Sequence, residues 1–111
     1  IERYELIKES ERKGKSLHNY LNKLKDRFPD RISYVLGRGL IAAVIFADPK
    51  THRPDSLFPS KVCEKAMQKG LLLVHTGRES IKIGPPLTIP DNALLEGLSV
   101  LEESIVEVAG E

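Results

Sequence analysis

The segment SIKIGPPLTI, residues 80–89, contains the side chain best placed to contact a ligand, Lys82. Two isoleucines alternate with Ser80 and Lys82, which is the period of a strand with one apolar and one polar face. A glycine and two prolines at residues 84–86 end this strand, because proline lacks an amide donor and fixes φ. A stiff strand end can present a cation to an anionic ligand. The pattern also fits a solvated lysine on an edge strand, and composition alone favours that interpretation.

The remaining reactive side chains form no recognisable catalytic pattern. His18, His52 and His75 are far apart in sequence and lack the cysteine or carboxylate spacing of a metal site. Cys63 is interpreted as a small core residue. The turn GRG, residues 37–39, lacks the full G-x-G-x-x-G pattern and lies between two predicted strands, whereas a dinucleotide site needs a strand followed by a helix. The residues alone therefore predict no catalytic, cofactor-binding or metal site.

Length and composition indicate one soluble globular domain of 111 residues, with 41% hydrophobic and 30% charged residues. No apolar run is long enough to cross a membrane, and no signal peptide is visible. The net charge of +1 gives no electrostatic case for nucleic acid as a partner. A lone cysteine is typical of a reducing compartment, so we expect a cytoplasmic protein. Because the sequence begins with Ile1, we expect it to be part of a longer chain.

A first helix is predicted from apolar or small residues that recur every three or four positions. These residues are Ile7, Ser10, Gly14, Leu17, Leu21, Leu24 and Phe28. Glycine costs about 1 kcal/mol in a helix interior. Gly14 therefore indicates either a close backbone contact or a break in the helix. The helix is expected to end by Asp30, after Pro29.

The segment LIAAVIFA, residues 40–47, predicts the central strand of a sheet. Because it is apolar at every position, we expect both of its faces to be buried. The two faces are Leu40, Val44 and Phe46 on one side and Ile41, Ala43 and Ile45 on the other. A preceding strand is predicted where Ile32, Tyr34 and Leu36 alternate with polar or small residues.

The second half of the chain predicts a helix, a hairpin and a final helix. The short helix is expected at about residues 59–69, with Gly70 after its end. The apolar strand at residues 71–75 and the turn at residues 76–78 lead back into the strand that holds Lys82. Asp91 is predicted to cap the final helix. The apolar stripe of that helix is Leu94, Leu98, Leu101, Ile105 and Val108.

This order of elements predicts an α+β fold. Because no helix separates the paired strands, we expect a small antiparallel or mixed sheet of about four strands, packed against three helices that cover one face. Residues 1–111 form this single domain.

The order of the segments resembles the C-terminal small domain of class III pyridoxal-phosphate-dependent aminotransferases, which include the 4-aminobutyrate and ornithine aminotransferases. The resemblance covers nearly the whole chain. It rests on the glycine-bearing first helix, on GRGLIAAVIF from Gly37 to Phe46, on KGLLL from Lys69 to Leu73, and on IKIGPPLTI from Ile81 to Ile89. The last segment, followed by a helix that reads LLEGLSVLEE, is the most specific. The resemblance implies the small-domain fold of the fold-type I enzymes.

The resemblance also implies a function: transfer of an amino group from an amine or amino acid to a 2-oxo acid, usually by a homodimer. In the family, an upstream large domain binds pyridoxal 5'-phosphate and carries the Schiff-base lysine. None of the ten lysines of this chain is expected to be that residue. We therefore expect the 111-residue chain by itself to be inactive and to bind neither cofactor nor metal.

The family's small domain commonly offers an arginine to the substrate carboxylate, and the IKIGPPL match places Lys82 at that position. A lysine is a point charge on a flexible stem, whereas an arginine binds a carboxylate through two parallel donors. The resemblance therefore implies that Lys82 is a substrate-binding residue with less geometric selection. Arg78 is a weaker candidate for the same role. Leu36 is a second departure, since many members have an arginine there.

Two other functions remain open at this point. One is a self-standing, non-catalytic α+β interaction module. The other is a relative that uses the same cofactor for isomerisation or racemisation. Each fits a chain that lacks the catalytic lysine.

Overall fold

The computed structural model describes residues 3–70, 74–75, 79–86 and 88–110. Within these residues, three helices and four strands follow one another in the predicted order, which confirms the α+β class. The elements are α1 (Arg3–Arg27), β1 (Ile32–Arg38), β2 (Ile41–Phe46), α2 (Leu57–Gln68), β3 (Val74–His75), β4 (Ser80–Ile83) and α3 (Asp91–Ala109). Each helix in these ranges is too short or too polar to span a bilayer.

The strands form one antiparallel sheet in the order β1-β2-β4-β3. The central position predicted for β2 is confirmed, because it pairs with both β1 and β4. The predicted hairpin is also present, with Val74 opposite Lys82 and His75 opposite Ile81. Residues 71–73 and the turn at residues 76–78, including Arg78, lie outside the described residues. Since β4 has a neighbour on each side, Lys82 is not on an edge strand.

The helices pack on one face of the sheet, and the core lies between the two layers. Ala42, Val44 and Phe46 of β2 are buried there, together with Ile81 of β4. The prediction that both faces of β2 are buried is wrong: on the second face Ile41 is 69% exposed, and Ala43 and Ile45 are only partly buried. Apolar residues on both sides of a strand predict that both faces are buried. All three helices, however, pack on the face that carries Ala42, Val44 and Phe46.

Helix α1 runs without a break through Gly14. A close backbone contact explains why a glycine is needed there. A Cβ atom on this residue would lie 2.7 Å from the backbone of Gly39 in the β1–β2 turn. Of the two alternatives, the close backbone contact is therefore confirmed. One turn along α1, the Nε2 atom of His18 lies 3.1 Å from the carbonyl oxygen of Gly39 and forms a hydrogen bond with it. The helix ends at Arg27, which is within the expected limit of Asp30 but before Pro29 rather than after it.

The starts of α2 and α3 differ from the predicted ones. Helix α2 begins at Leu57, two residues earlier than predicted, because Asp55 Oδ1 accepts bonds from the amides of Leu57 at 3.0 Å and Phe58 at 3.2 Å. The prediction that Asp91 caps α3 is wrong. Pro90 occupies the cap position, and the Asp91 carboxylate instead accepts two bonds from Arg12 of α1, at 2.9 and 3.1 Å. The guanidinium group of Arg12 lowers the pKa of Asp91.

A second polar contact between α1 and α3 is partly buried. The Tyr20 hydroxyl donates a hydrogen bond of 2.7 Å to Glu102, and Arg27 donates to the other oxygen of the same carboxylate. Both bonds lower the pKa of Glu102, and the bond from Tyr20 has the larger effect on it. Burial, with the neighbouring carboxylate second, raises the pKa of Tyr20 to about 12.

We expect Tyr20→Phe to lower the free energy of unfolding by about 1 kcal/mol at neutral pH. The Glu102 contribution is present above the unfolded pKa of about 4.3 and is lost as the pH falls through the lowered folded value. The tyrosine contribution is present below about pH 10 and is lost as the pH rises through the folded pKa of about 12. Urea unfolding as a function of pH should therefore show the two proteins converging at both ends. A difference that stays constant from acid to alkali would contradict this assignment.

Candidate functional site

Lys82 lies in the middle of strand β4, hydrogen-bonded into the sheet on both sides. It stands opposite Ala43 of β2 and Val74 of β3. Its neighbours Ile81 and Ile83 point into the core, and Ile81 is fully buried. Because side chains alternate along a strand, Lys82 points to the opposite surface, where it is exposed. Strand pairing thus holds the backbone of Lys82 in a fixed position, while its ammonium group is accessible to solvent.

This second surface of the sheet carries no helix within the described residues, and we call it the open face. Its residues on β1, β2 and β4 are Tyr34, Leu36, Arg38, Ile41, Ala43, Ile45, Ser80 and Lys82. Residues directly opposite each other in antiparallel strands share a face. Leu36, Ala43 and Lys82 therefore form one row across three strands. At a strand spacing of about 4.8 Å, the backbones of Leu36 and Lys82 are about 10 Å apart.

Most of the open face is apolar. The side chains of Tyr34, Leu36 and Ile41 are 61%, 55% and 69% exposed, although each lies on a paired strand. Cations occur at two places on this surface, at Arg38 near the β1–β2 turn and at Lys82. The face has no acidic residue among its eight members. It can therefore hold an anionic group beside apolar atoms.

The segment after Lys82 leads into α3. The amide of Ile89 donates a bond of 3.0 Å to the carbonyl of Pro86, which closes a turn before the helix begins. Ile83, Pro85 and Leu94 contribute to a groove of about 90 Å³ between β4 and α3. All of the residues that line it are apolar or glycine. Because no charged side chain lines this groove, it offers no partner to an anion. The candidate anion contact is therefore Lys82 on the open face.

The glycine-rich turn between β1 and β2 is shaped by backbone contacts. Gly37 and Gly39 have φ of 124° and 61°. The turn borders a cleft of about 580 Å³ against α1, to which Lys15, His18 and Arg38 contribute. It connects two strands of a hairpin, so its geometry differs from a phosphate-binding strand–turn–helix. It acts as the contact point between sheet and helix.

The other candidate residues do not gather into a site. Burial raises the pKa of the Cys63 thiol, which favours the unreactive protonated form. Among the described residues, no cluster of three His, Cys, Asp or Glu side chains is placed to hold a metal ion. The side chain of His75 lies outside the described part of the chain.

The open face itself was missed by reasoning from the sequence. The alternation of Tyr34 and Leu36 with smaller or core-facing residues was a signal that β1 has one surface outside the core. Once β1 and β2 are paired, Ile41, Ala43 and Ile45 lie on the same surface as Tyr34 and Leu36. Only the pairing of β2 with β4 adds Lys82 to this surface, and that contact joins residues about 40 positions apart.

Comparison with known proteins gives a consistent result along nearly the whole chain. Residues 1–105 match the family described as aminotransferase class-III. The mitochondrial acetylornithine aminotransferase of Candida glabrata is 35% identical over 97 residues, which are 87% of this chain and 21% of that protein. The diaminobutyrate–2-oxoglutarate transaminase of Halalkalibacterium halodurans is 34% identical over 100 residues, which are 88% of this chain and 22% of that protein.

The solved structures agree with the sequence relatives. A transaminase from the marine bacterium Virgibacillus superposes with a TM-score of 0.81 at 27% identity, over 96% of this chain and 26% of that one. The chain thus spans about a quarter of the length of the proteins that it matches.

Proposed function

Because this chain belongs to the class III aminotransferase family, we propose that it is the C-terminal small domain of an enzyme that transfers an amino group from an amine or amino acid to a 2-oxo acid. The observation that carries the proposal is the family match over residues 1–105 of a chain that spans only about a quarter of its relatives. A self-standing interaction module is not favoured, because relatives at 34–35% identity are aminotransferases.

The cofactor of such an enzyme is pyridoxal 5'-phosphate, which we assign to the large domain of the same protein. The residues that the structure describes do not fit a site for it. Their glycine-rich turn is a hairpin, and their one buried lysine, Lys13, lies 3.8 Å from Glu9 in an ion pair. The chain's own part in the reaction is therefore to bind and orient the substrate.

Lys82 is the residue to which we assign that role. Its exposure, its fixed strand position and the absence of acidic residues from the open face support a contact with a substrate anion. A carboxylate is the natural partner, because a charge-assisted bond to an ammonium group is stronger than a neutral one. The apolar residues of the same row, Leu36 and Ala43, suit the aliphatic part of an amino acid.

The assembled enzyme is proposed to be a cytoplasmic homodimer. The lone, half-buried Cys63 is compatible with a reducing compartment. Closed two-fold dimers are the commonest assembly of soluble enzymes.

The proposed reaction is tested with the full-length enzyme, a ¹⁵N-labelled amino donor and 2-oxoglutarate. The expected result is ¹⁵N in the amino acid formed from the 2-oxo acid, with none formed when the acceptor is left out. Donor conversion that proceeds equally well without the acceptor would instead identify an isomerase or racemase. No conversion of any donor would overturn the proposal.

A further inference from the structure

The cleft of about 580 Å³ between α1 and the β1–β2 turn, which we call the α1 cleft, has the size of a small-molecule site. Such sites range from about 300 to 1,000 Å³. The helix and the turn that line it are held together by the backbone contact between Gly14 and Gly39 and by the bond from His18 to the Gly39 carbonyl. The cleft is therefore formed by packed elements and does not need a ligand to create it.

The α1 cleft is rich in side chains that donate hydrogen bonds. A hydroxyl, an ammonium, an imidazole, an amide and a guanidinium group line it, from Ser10, Lys15, His18, Asn19 and Arg38. Among the described residues that line the cleft, Glu11 is the one acid. A phosphate or carboxylate anion only accepts hydrogen bonds, so this set of donors suits an anion.

The two cations of the α1 cleft are available to a ligand. Within the described part of the chain, neither Lys15 nor Arg38 takes part in an ion pair, although Glu11 lies only one helical turn before Lys15. The ring of His18 adds a further polar atom. Its Nε2–H donates to the Gly39 carbonyl, and its Nδ1 atom has no partner among the described residues.

We propose that the α1 cleft binds a small dianion, a phosphate group or a dicarboxylate, between Lys15 of α1 and Arg38 of β1. A phosphate group carries nearly two negative charges at neutral pH and has three acceptor oxygens, so donors on two walls can bind it together. A dicarboxylate has the same charge and offers one carboxylate to each cation. This inference goes beyond the proposed function and does not depend on it.

Isothermal titration calorimetry of the full-length protein with inorganic phosphate and with succinate tests the site. Saturation with pyridoxal 5'-phosphate beforehand fills any site for the phosphate of the cofactor itself. We expect at least one of the two dianions to bind with a Kd at or below about 1 mM, and the tighter one identifies the class of ligand. Binding of neither dianion would overturn the proposal.

Substitutions on the two walls of the cleft locate the bound dianion. We expect Lys15→Ala and Arg38→Ala each to weaken binding by about tenfold or more, because each removes a charge-assisted bond. Both side chains are exposed, so both variants should keep the fold, which the thermal midpoint without ligand checks.

Lys23→Ala is the matched control on the same helix. Lys23 is an exposed lysine about 12 Å further along α1 than Lys15, which is beyond the screening length of about 10 Å in 0.1 M salt. We expect its affinity to stay within about twofold of the wild type. Equal weakening in Lys15→Ala and Lys23→Ala would show an effect of net charge and overturn the proposal.

Lys82→Ala separates the α1 cleft from the open face. If the dianion lies in the cleft, this variant binds it as the wild type does. Loss of binding in Lys82→Ala, with unchanged binding in Lys15→Ala, would place the dianion on the open face and overturn the proposal. Amino transfer is measured on the same samples, so an active enzyme that binds no dianion in the cleft refutes the inference and leaves the proposed function intact.

Discussion

Gly37→Ala is expected to lower the free energy of unfolding by about 3 kcal/mol or more. Two independent causes act at this position. The φ of Gly37 is 124°, a conformation that residues with a Cβ atom rarely adopt. A Cβ atom built there would also overlap the carbonyl oxygen of Ile41 and would lie 2.7 Å from the Cα atom of Ala42. Both are backbone atoms of strand β2, so relief requires the hairpin to move.

Gly39→Ala is the matched control in the same turn. Its φ of 61° is the left-handed conformation, and the nearest atom to a new Cβ is Ser10 Oγ at 3.4 Å, an ordinary contact. This variant therefore measures backbone strain without the clash, for which we expect about 1 kcal/mol. Urea unfolding of the two variants gives the comparison. If Gly37→Ala costs no more than Gly39→Ala, the clash with β2 does not determine the stability of this turn.

Lys82→Ala is expected to raise the KM for a carboxylate-bearing substrate of the full-length enzyme by about tenfold to a hundredfold. The estimate follows from the roughly 1.5–3 kcal/mol that a hydrogen bond to a charged group contributes, with about 1.4 kcal/mol for each factor of ten. The effect should fall mainly on KM, because a contact with a non-reacting carboxylate is the same in the ground and transition states. Steady-state kinetics with varied donor measures it.

Lys61→Ala provides the matched loss of charge. Lys61 is an exposed lysine on α2, on the opposite side of the sheet from the open face. We expect the KM of this variant to stay within about twofold of the wild type, as for a surface substitution outside the site. An equal rise in KM for both variants would show that the effect comes from the loss of net charge and not from a specific contact.

The helices could be predicted from sequence because their signals are local. The three- and four-residue intervals of α1 and α3 match the buried residues Leu17, Leu21, Leu98 and Ile105. For Gly14 the sequence predicted either a close backbone contact or a break in the helix, and the contact is the correct alternative. A glycine on a buried stripe has few other reasons to be there. Its contact partner, Gly39, was not predictable, because it lies 25 residues away in the β1–β2 turn.

The surfaces of the sheet were predicted less well, since they depend on long-range pairing. The residues of β2 are apolar on both sides, and nothing local distinguishes a side that faces helices from a side that is open in this chain. Asp91 shows the same limit at a helix end. Aspartate favours the cap position, but here a proline occupies it and the carboxylate binds Arg12, a residue from the other end of the sequence.

For the candidate site, sequence identified Lys82 but not its surroundings. The alternating isoleucines correctly placed the lysine on the side of β4 away from the core. The row that joins it to Ala43 and Leu36 depends on the order β1-β2-β4, which no segment encodes alone. The two positions at which this chain departs from the arginines of the resembled family thus lie in one row on one face.

The central claim is that Lys82 recognises a substrate anion on the open face, and one ratio tests it directly. In the full-length enzyme, kcat/KM is measured for an amino acid donor and for its uncharged primary amide, with the wild type, Lys82→Ala and Lys82→Arg. Our account predicts that the preference for the carboxylate falls by about tenfold or more in Lys82→Ala. It should be kept in Lys82→Arg, which retains the positive charge. The same preference in all three proteins would contradict the claim and remove Lys82 from the substrate site.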